Sequence, residues 1–310
     1  MDEINISKSK AFVDFMLTQQ QWSGITKQDV DRWLHNFRDL DQEEQRLVYK
    51  LLTNIIYFSE KDVIAALREG VFKCLAYDDI LATQITAKFN LSQNALKNVY
   101  AEKLRETCFV PLLDSDSPHE SGNYVSRTLV QQGIVSTDRS MFIDKVPEIL
   151  NSGLIKNLVI VDDCVGSGEQ LRGFWQNKLL QDGSEKYSIK ELCHKYGVRA
   201  NYLTLFGYDK SIEDLRLQFS DLSIFCIRTL SESHRVFSDS TYIWSDEEER
   251  DKAFSLFDSL SKNAGIPTYG YAGLDFAFIM HQTIPDWSLP LFWKENSDWN
   301  LLVRRKNSND

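Results

Sequence analysis

The stretch that most constrains this chain is residues 158–171, LVIVDDCVGSGEQL. Four apolar residues, Leu158 to Val161, read as a short strand of the kind buried in a parallel sheet. Two acids follow, Asp162 and Asp163, then Gly166, Ser167 and Gly168, then the helix-periodic run EQLRGFWQNKLL. Small residues let backbone approach a phosphate closely, and the first N–H groups of the helix point at it. The two acids stand where a sugar diol or a magnesium-bound pyrophosphate would lie. An ordinary strand-to-helix turn with an N-capping acid is the plainer alternative, but such a turn needs one acid and no Gly-Ser-Gly.

The order of apolar strand, acid pair and small-residue loop resembles the signature of the phosphoribosyltransferase fold. That resemblance implies an α/β fold: a phosphoribosyltransferase-like parallel sheet flanked by helices, preceded here by an all-helical N-terminal domain. It implies that Asp162 and Asp163 hold the ribose hydroxyls of phosphoribosyl pyrophosphate (PRPP), directly or beside Mg2+. The loop Cys164, Val165, Gly166, Ser167, Gly168 and Glu169 would hold the 5′-phosphate. Purine-type members place an acid at the first cradle position, as a base toward the purine; here that position is Gly166. Glu169, after the cradle glycine, suits a helix N-terminus better than a phosphate neighbour.

Strand and helix patterns alternate from 108 to 230, as in a parallel α/β layer. Residues 109–113 read as its first strand. The polar loop DSDSPHESG follows, where Asp114, Ser115, Ser117 and Ser121 could face a pyrophosphate, with Gly122 giving backbone access. A surface loop of turn formers reads equally well. Ligands of such sheets bind beyond the carboxyl ends of the strands. The loop after Leu230 reaches that edge with His234 and Arg235, and His281 ends a strand read over 274–280.

Residues 1–104 read as helices. Thr26 with Asp29, Asp41 with Glu44 and Ser59 with Asp62 have capping-box spacing before amphipathic runs. The expected division is a helical domain, 1–104, and an α/β domain with an aromatic tail, 105–310. In the tail, His281, Thr283, Pro285, Asp286, Leu289, Pro290, Phe292, Trp293 and Trp299, with WLHNF at 33–37, resemble a branch of the fold found in bacterial conflict systems, retrons among them. That likeness implies an antiphage effector acting beside a reverse transcriptase and its RNA–DNA hybrid, or beside a DNA-binding partner of a defence operon. As an enzyme it would transfer a pentosyl group. The alternative is a catalytically inactive nucleotide sensor, or a scaffold docking a nucleoprotein. Dimers are frequent on this fold, so a homodimer is also expected.

The net charge is −10 with no long basic run, which argues against a chain that wraps nucleic acid by itself. Five scattered cysteines make no CxxC pair, so neither a zinc site nor a disulfide framework is indicated. No apolar run is long enough for a membrane span, and MDEINISKSK has no apolar segment of a signal peptide. The expectation is a cytoplasmic protein with reduced thiols and no membrane partner.

Overall fold

In the computed structural model, which describes residues 6–113, 121–281 and 283–305, the chain leaves one compact unit, builds a second, and returns to the first. The outward leg holds α1 (Ile6–Thr18), α2 (Lys27–His35), α3 (Gln42–Thr53) and the short strand β1 (Ile56–Phe58). Helix α4 (Glu60–Leu75) carries the chain across the boundary at 63–64. The expected capping boxes open α2, where Thr26 and Asp29 bond reciprocally, and α3, where Asp41 and Glu44 do. Ser59 and Asp62 make the same exchange before α4.

The second unit spans 64–229. Its elements are α5 (Tyr77–Thr86), α6 (Gln93–Arg105), β2 (Thr107–Pro111), α7 (Ser121–Gln131), α8 (Val146–Asn151), β3 (Asn157–Val165), α9 (Glu169–Asn177), β4 (Leu179–Asp182), β5 (Glu185–Ser188), α10 (Ile189–Tyr196), β6 (Arg199–Tyr208), α11 (Asp209–Gln218) and β7 (Leu222–Leu230). Four strands form one sheet in the order β2-β3-β6-β7, and β2, β3 and β6 run parallel. Successive side chains of β3 alternate between faces. Leu158 and Ile160 join a buried cluster with Leu171 and Phe174 of α9, Leu192 of α10 and Leu215 of α11. On the opposite face lies α4, where Gly70 touches Leu203 and Ile227, and α7 packs on β2 and β3. The sheet is therefore covered on both sides, which is why its strands read as continuous apolar runs. A β4–β5 hairpin between α9 and α10 was not foreseen. Only Leu180 and Ser188 of its residues are buried, so no apolar period marks them.

On the return leg, α12 (Glu247–Asn263) and β8 (Phe278–Met280) complete the first unit. β8 pairs parallel with β1, so the N-terminal region contains a strand and is not purely helical. The units also divide the chain at 63–64 and 229–230 rather than at 104–105. The reason lies in the aromatic runs. Trp33 and Trp299 both donate their indole N–H to the Leu291 carbonyl, at 2.9 Å each. Trp33 packs on Phe292, and Asn36 exchanges hydrogen bonds with Asn300. The WLHNF segment and the tail are two halves of one core. Among the described residues no helix is long and apolar enough to cross a membrane, and all five cysteines are free.

Candidate functional site

The acids lie inside β3, which runs on to Val165 rather than stopping at Val161, because Asp162, Cys164 and Val165 pair with Thr204, Phe206 and Gly207 of β6. Neighbouring positions on a strand face opposite ways, and the partners of the two acids differ accordingly. Asp162, 2% exposed, accepts the Tyr202 hydroxyl at 2.8 Å and the Asp163 N–H at 2.9 Å. Asp163, 5% exposed, accepts the Cys164 N–H at 2.7 Å and a hydrogen bond from Ser121, at the start of α7. Burial raises Asp162 well above the usual carboxylate range, and the Asp163 charge adds to this against the Tyr202 bond. Burial raises Asp163 as well, opposed by its bonds to Ser121 and the backbone. Hydrogen bonds hold both carboxyl groups, and no Lys or Arg is among the chief influences on either. Such a pair attracts a cation, or hydroxyl donors that complete its lone pairs.

The turn that follows is fixed from behind by α11. Gly168 sits in the left-handed region at φ +81°, and a Cβ there would meet Leu215 at 2.9 Å. Glycine is thus required twice, for conformation and for space. Gly168 is also the N-cap of α9 and has no side chain to cap it, while the Glu169 N–H meets the Ser167 hydroxyl at 3.4 Å, so the helix start is lined by backbone and one small hydroxyl, a setting that suits an anion. Arg172 braces the turn: its guanidinium donates to the Ser167 carbonyl at 2.8 Å and to Gln218 of α11 at 2.8 Å. On the neighbouring strand end, Gly122 lies so close to the Leu112 carbonyl that any Cβ would collide with it. This close seating brings Ser121 to Asp163.

Of the residues expected in the cradle, Gly166 and Gly168 are buried, Ser167 and Cys164 half-buried and Glu169 exposed. Val165 sends its side chain into the apolar core and offers only backbone. Asp114, Ser115 and Ser117 lie outside the described residues. His234, Arg235 and His281 belong to the other unit, each engaged there. His234 Nδ1 meets the Ser231 hydroxyl at 2.8 Å and its N–H at 3.0 Å. Arg235 donates to fully buried Asp275 at 2.5 Å and to the Gly273 carbonyl. His281 Nδ1 is 3.1 Å from the Ser23 hydroxyl.

Sequence reasoning missed Tyr202 and Arg172, and it set Ser121 toward a pyrophosphate where the structure bonds it to Asp163. Only Tyr202 left a signal, as a hydroxyl in the apolar run NYLTLFGY that needs a buried partner. The residues present suit a hard cation held mainly by its ligand. Two carboxylates stand together, while no group of three or more His, Cys, Asp or Glu that could hold a metal occurs among the described residues.

Comparison with known proteins gives one match: the family model described as PRTase-CE covers residues 30–305. No curated protein and no solved structure matches the chain.

Proposed function

The chain belongs to the PRTase-CE family, a phosphoribosyltransferase-like family, and from that premise we propose that it binds PRPP or a related nucleotide at the end of β3. The ribose hydroxyls lie on Asp162 and Asp163, and the 5′-phosphate meets the backbone of residues 166–169. The observation that carries this reading is the buried acid pair, satisfied by hydrogen bonds and followed directly by a glycine-capped helix start. Tyr202 and Ser121 each occupy one acid from its own side of the sheet and so fix its orientation. Magnesium entering with the pyrophosphate would neutralise negative charge on the departing group. The chain's own part is positional. When the bond from C1′ to the pyrophosphate oxygen breaks, the electron pair leaves with the oxygen and positive charge grows on the sugar. A ribose held at its hydroxyls beside carboxyl groups meets that charge in a prepared geometry.

A second reading has an observation in its favour. Gly166 stands where purine-type members carry their base, and both acids are almost wholly buried. A nucleotide sensor without turnover fits those facts. Calorimetry with PRPP and magnesium, alongside an assay for pyrophosphate release, separates the two. Saturable binding with release, both lost in Asp163→Asn, supports a pentosyl transferase. Binding without release supports the sensor, and no binding of either PRPP or a nucleotide at millimolar concentration defeats both.

An antiphage role in the cytoplasm, beside a reverse transcriptase and its RNA–DNA hybrid, belongs to the same proposal and is supported by the tail and WLHNF resemblance. Phage plating with the whole operon tests it: protection should fall to the empty-vector level with Asp163→Asn.

A further inference from the structure

Helices α5 and α6 contain not one buried residue between them. A ten-residue helix without a side-chain cap at its start gains little from its own backbone. Burial would normally hold it, yet α5 turns its apolar residues outward. Tyr77, Leu81 and Ile85 recur every four positions and so share one side of the helix. Phe89 continues the series just past the helix end, and the four are 39–67% exposed. The series ends on two consecutive left-handed residues, Lys88 at φ +51° and Phe89 at φ +59°. A glycine would take that conformation at less cost. Strain kept to place an aromatic ring in solvent points to a contact surface.

The charges around the stripe identify what covers it. Asp78 flanks its beginning and Lys88 its end, and neither side chain has a partner among the described residues. Asp79, next to Asp78, is already held by Lys103 at 2.6 Å. A surface with one unpaired acid at one end, one unpaired base at the other and an apolar stripe between them is complementary to itself under a two-fold axis. Laid antiparallel on a second copy, Tyr77 of one chain meets Phe89 of the other, and Asp78 meets Lys88 twice over. We propose that the α5 stripe is the face through which two copies of this chain associate. Four apolar side chains from each copy make a small interface, so the dimer should dissociate at about micromolar concentration.

Sedimentation equilibrium of the full chain tests this. The expected result is a concentration-dependent species of twice 35.9 kDa. Ile85→Asp should leave only monomer, with an unchanged circular dichroism spectrum because the residue is exposed. Asp78→Lys and Lys88→Asp should each weaken association about tenfold, by placing like charges opposite one another. The double variant should restore it. A wild-type chain that stays monomeric to 100 µM (a test concentration set as roughly a hundredfold the expected constant), a dimer indifferent to Ile85→Asp, or a double variant no better than the singles would each overturn the proposal.

Discussion

Tyr202 is the residue whose removal would most directly disturb the acid pair. Tyr202→Phe leaves a buried carboxyl oxygen of Asp162 without its donor, a loss of about 1–3 kcal/mol that urea denaturation would register. It also removes the bond that opposes the upward shift of Asp162. If PRPP binds to the ionised pair, the pH at which binding begins should move higher in this variant. For the free protein the linkage has a definite sign. Both folded-state values are raised, so the pair's contribution to stability is full below the ordinary carboxylate range and is lost as pH rises through the folded values. Gly168→Ala combines a left-handed backbone with a collision at Leu215 and should cost about 2 kcal/mol in the same measurement. The acids and this glycine were legible because their chemistry is local to fourteen residues. Arg172 was not, since an arginine one turn along a helix looks like an ordinary surface residue until the fold brings Gln218 and the turn to it. Ser121 was legible as a loop hydroxyl but not as the partner of Asp163, because that bond depends on how α7 seats on the sheet.

Helices α3 and α12, far apart in sequence, are joined by a charged cluster. Glu249 accepts from Lys50 at 2.5 Å, from Arg46 at 2.6 Å and from the Ser245 N–H at 2.7 Å. Burial pushes the Glu249 carboxyl up, but these three donors outweigh it and hold the group down at about 2. Its stabilisation is therefore present above the ordinary glutamate range and is lost as pH falls toward 2. Lys50→Met should cost about 3 kcal/mol at neutral pH, and the difference from wild type should shrink as acid is added. From the sequence, the acidic start of α12 reads as a solvated face. Glu247 and Glu248 are indeed exposed, but Glu249 is buried. Nothing in the local pattern separates it from its neighbours, because its charged partners, Arg46 and Lys50, lie 203 and 199 positions away. Stop signals that are local are plainer: Gly197, which directly follows the run SIKELCHKY, ends α10 in the left-handed conformation that glycine takes most readily.

For the molecule as a whole, the decisive fact is which segments share a core. Local periodicity found almost every helix and sheet strand but placed the domain boundary at a change of texture near 104. Pairing of Ile56, Tyr57 and Phe58 with Phe278, Ile279 and Met280 has no local signature, and neither has Trp33 beneath Leu291. A chain lacking residues 1–63 should therefore expose the apolar tail. Hydrogen exchange should show the amides of residues 278–280 unprotected, and the fragment should bind a hydrophobic dye. If those amides stay protected, the shared core is wrong.

That shared core also sets a schedule for biosynthesis. The first segment leaves the ribosome with its strand, its tryptophans and its amphipathic helices complete, but its partners are encoded beyond an intervening stretch of 64–229. At about 5–20 residues per second the wait is roughly 8–35 s. Throughout that interval Trp33 and Phe37 lack Leu291, Phe292 and Trp299, which close over them in the finished fold. The nascent N-terminus is thus a natural client for a holding chaperone, and yield on overexpression should depend more on translation speed than on the stability of the finished fold.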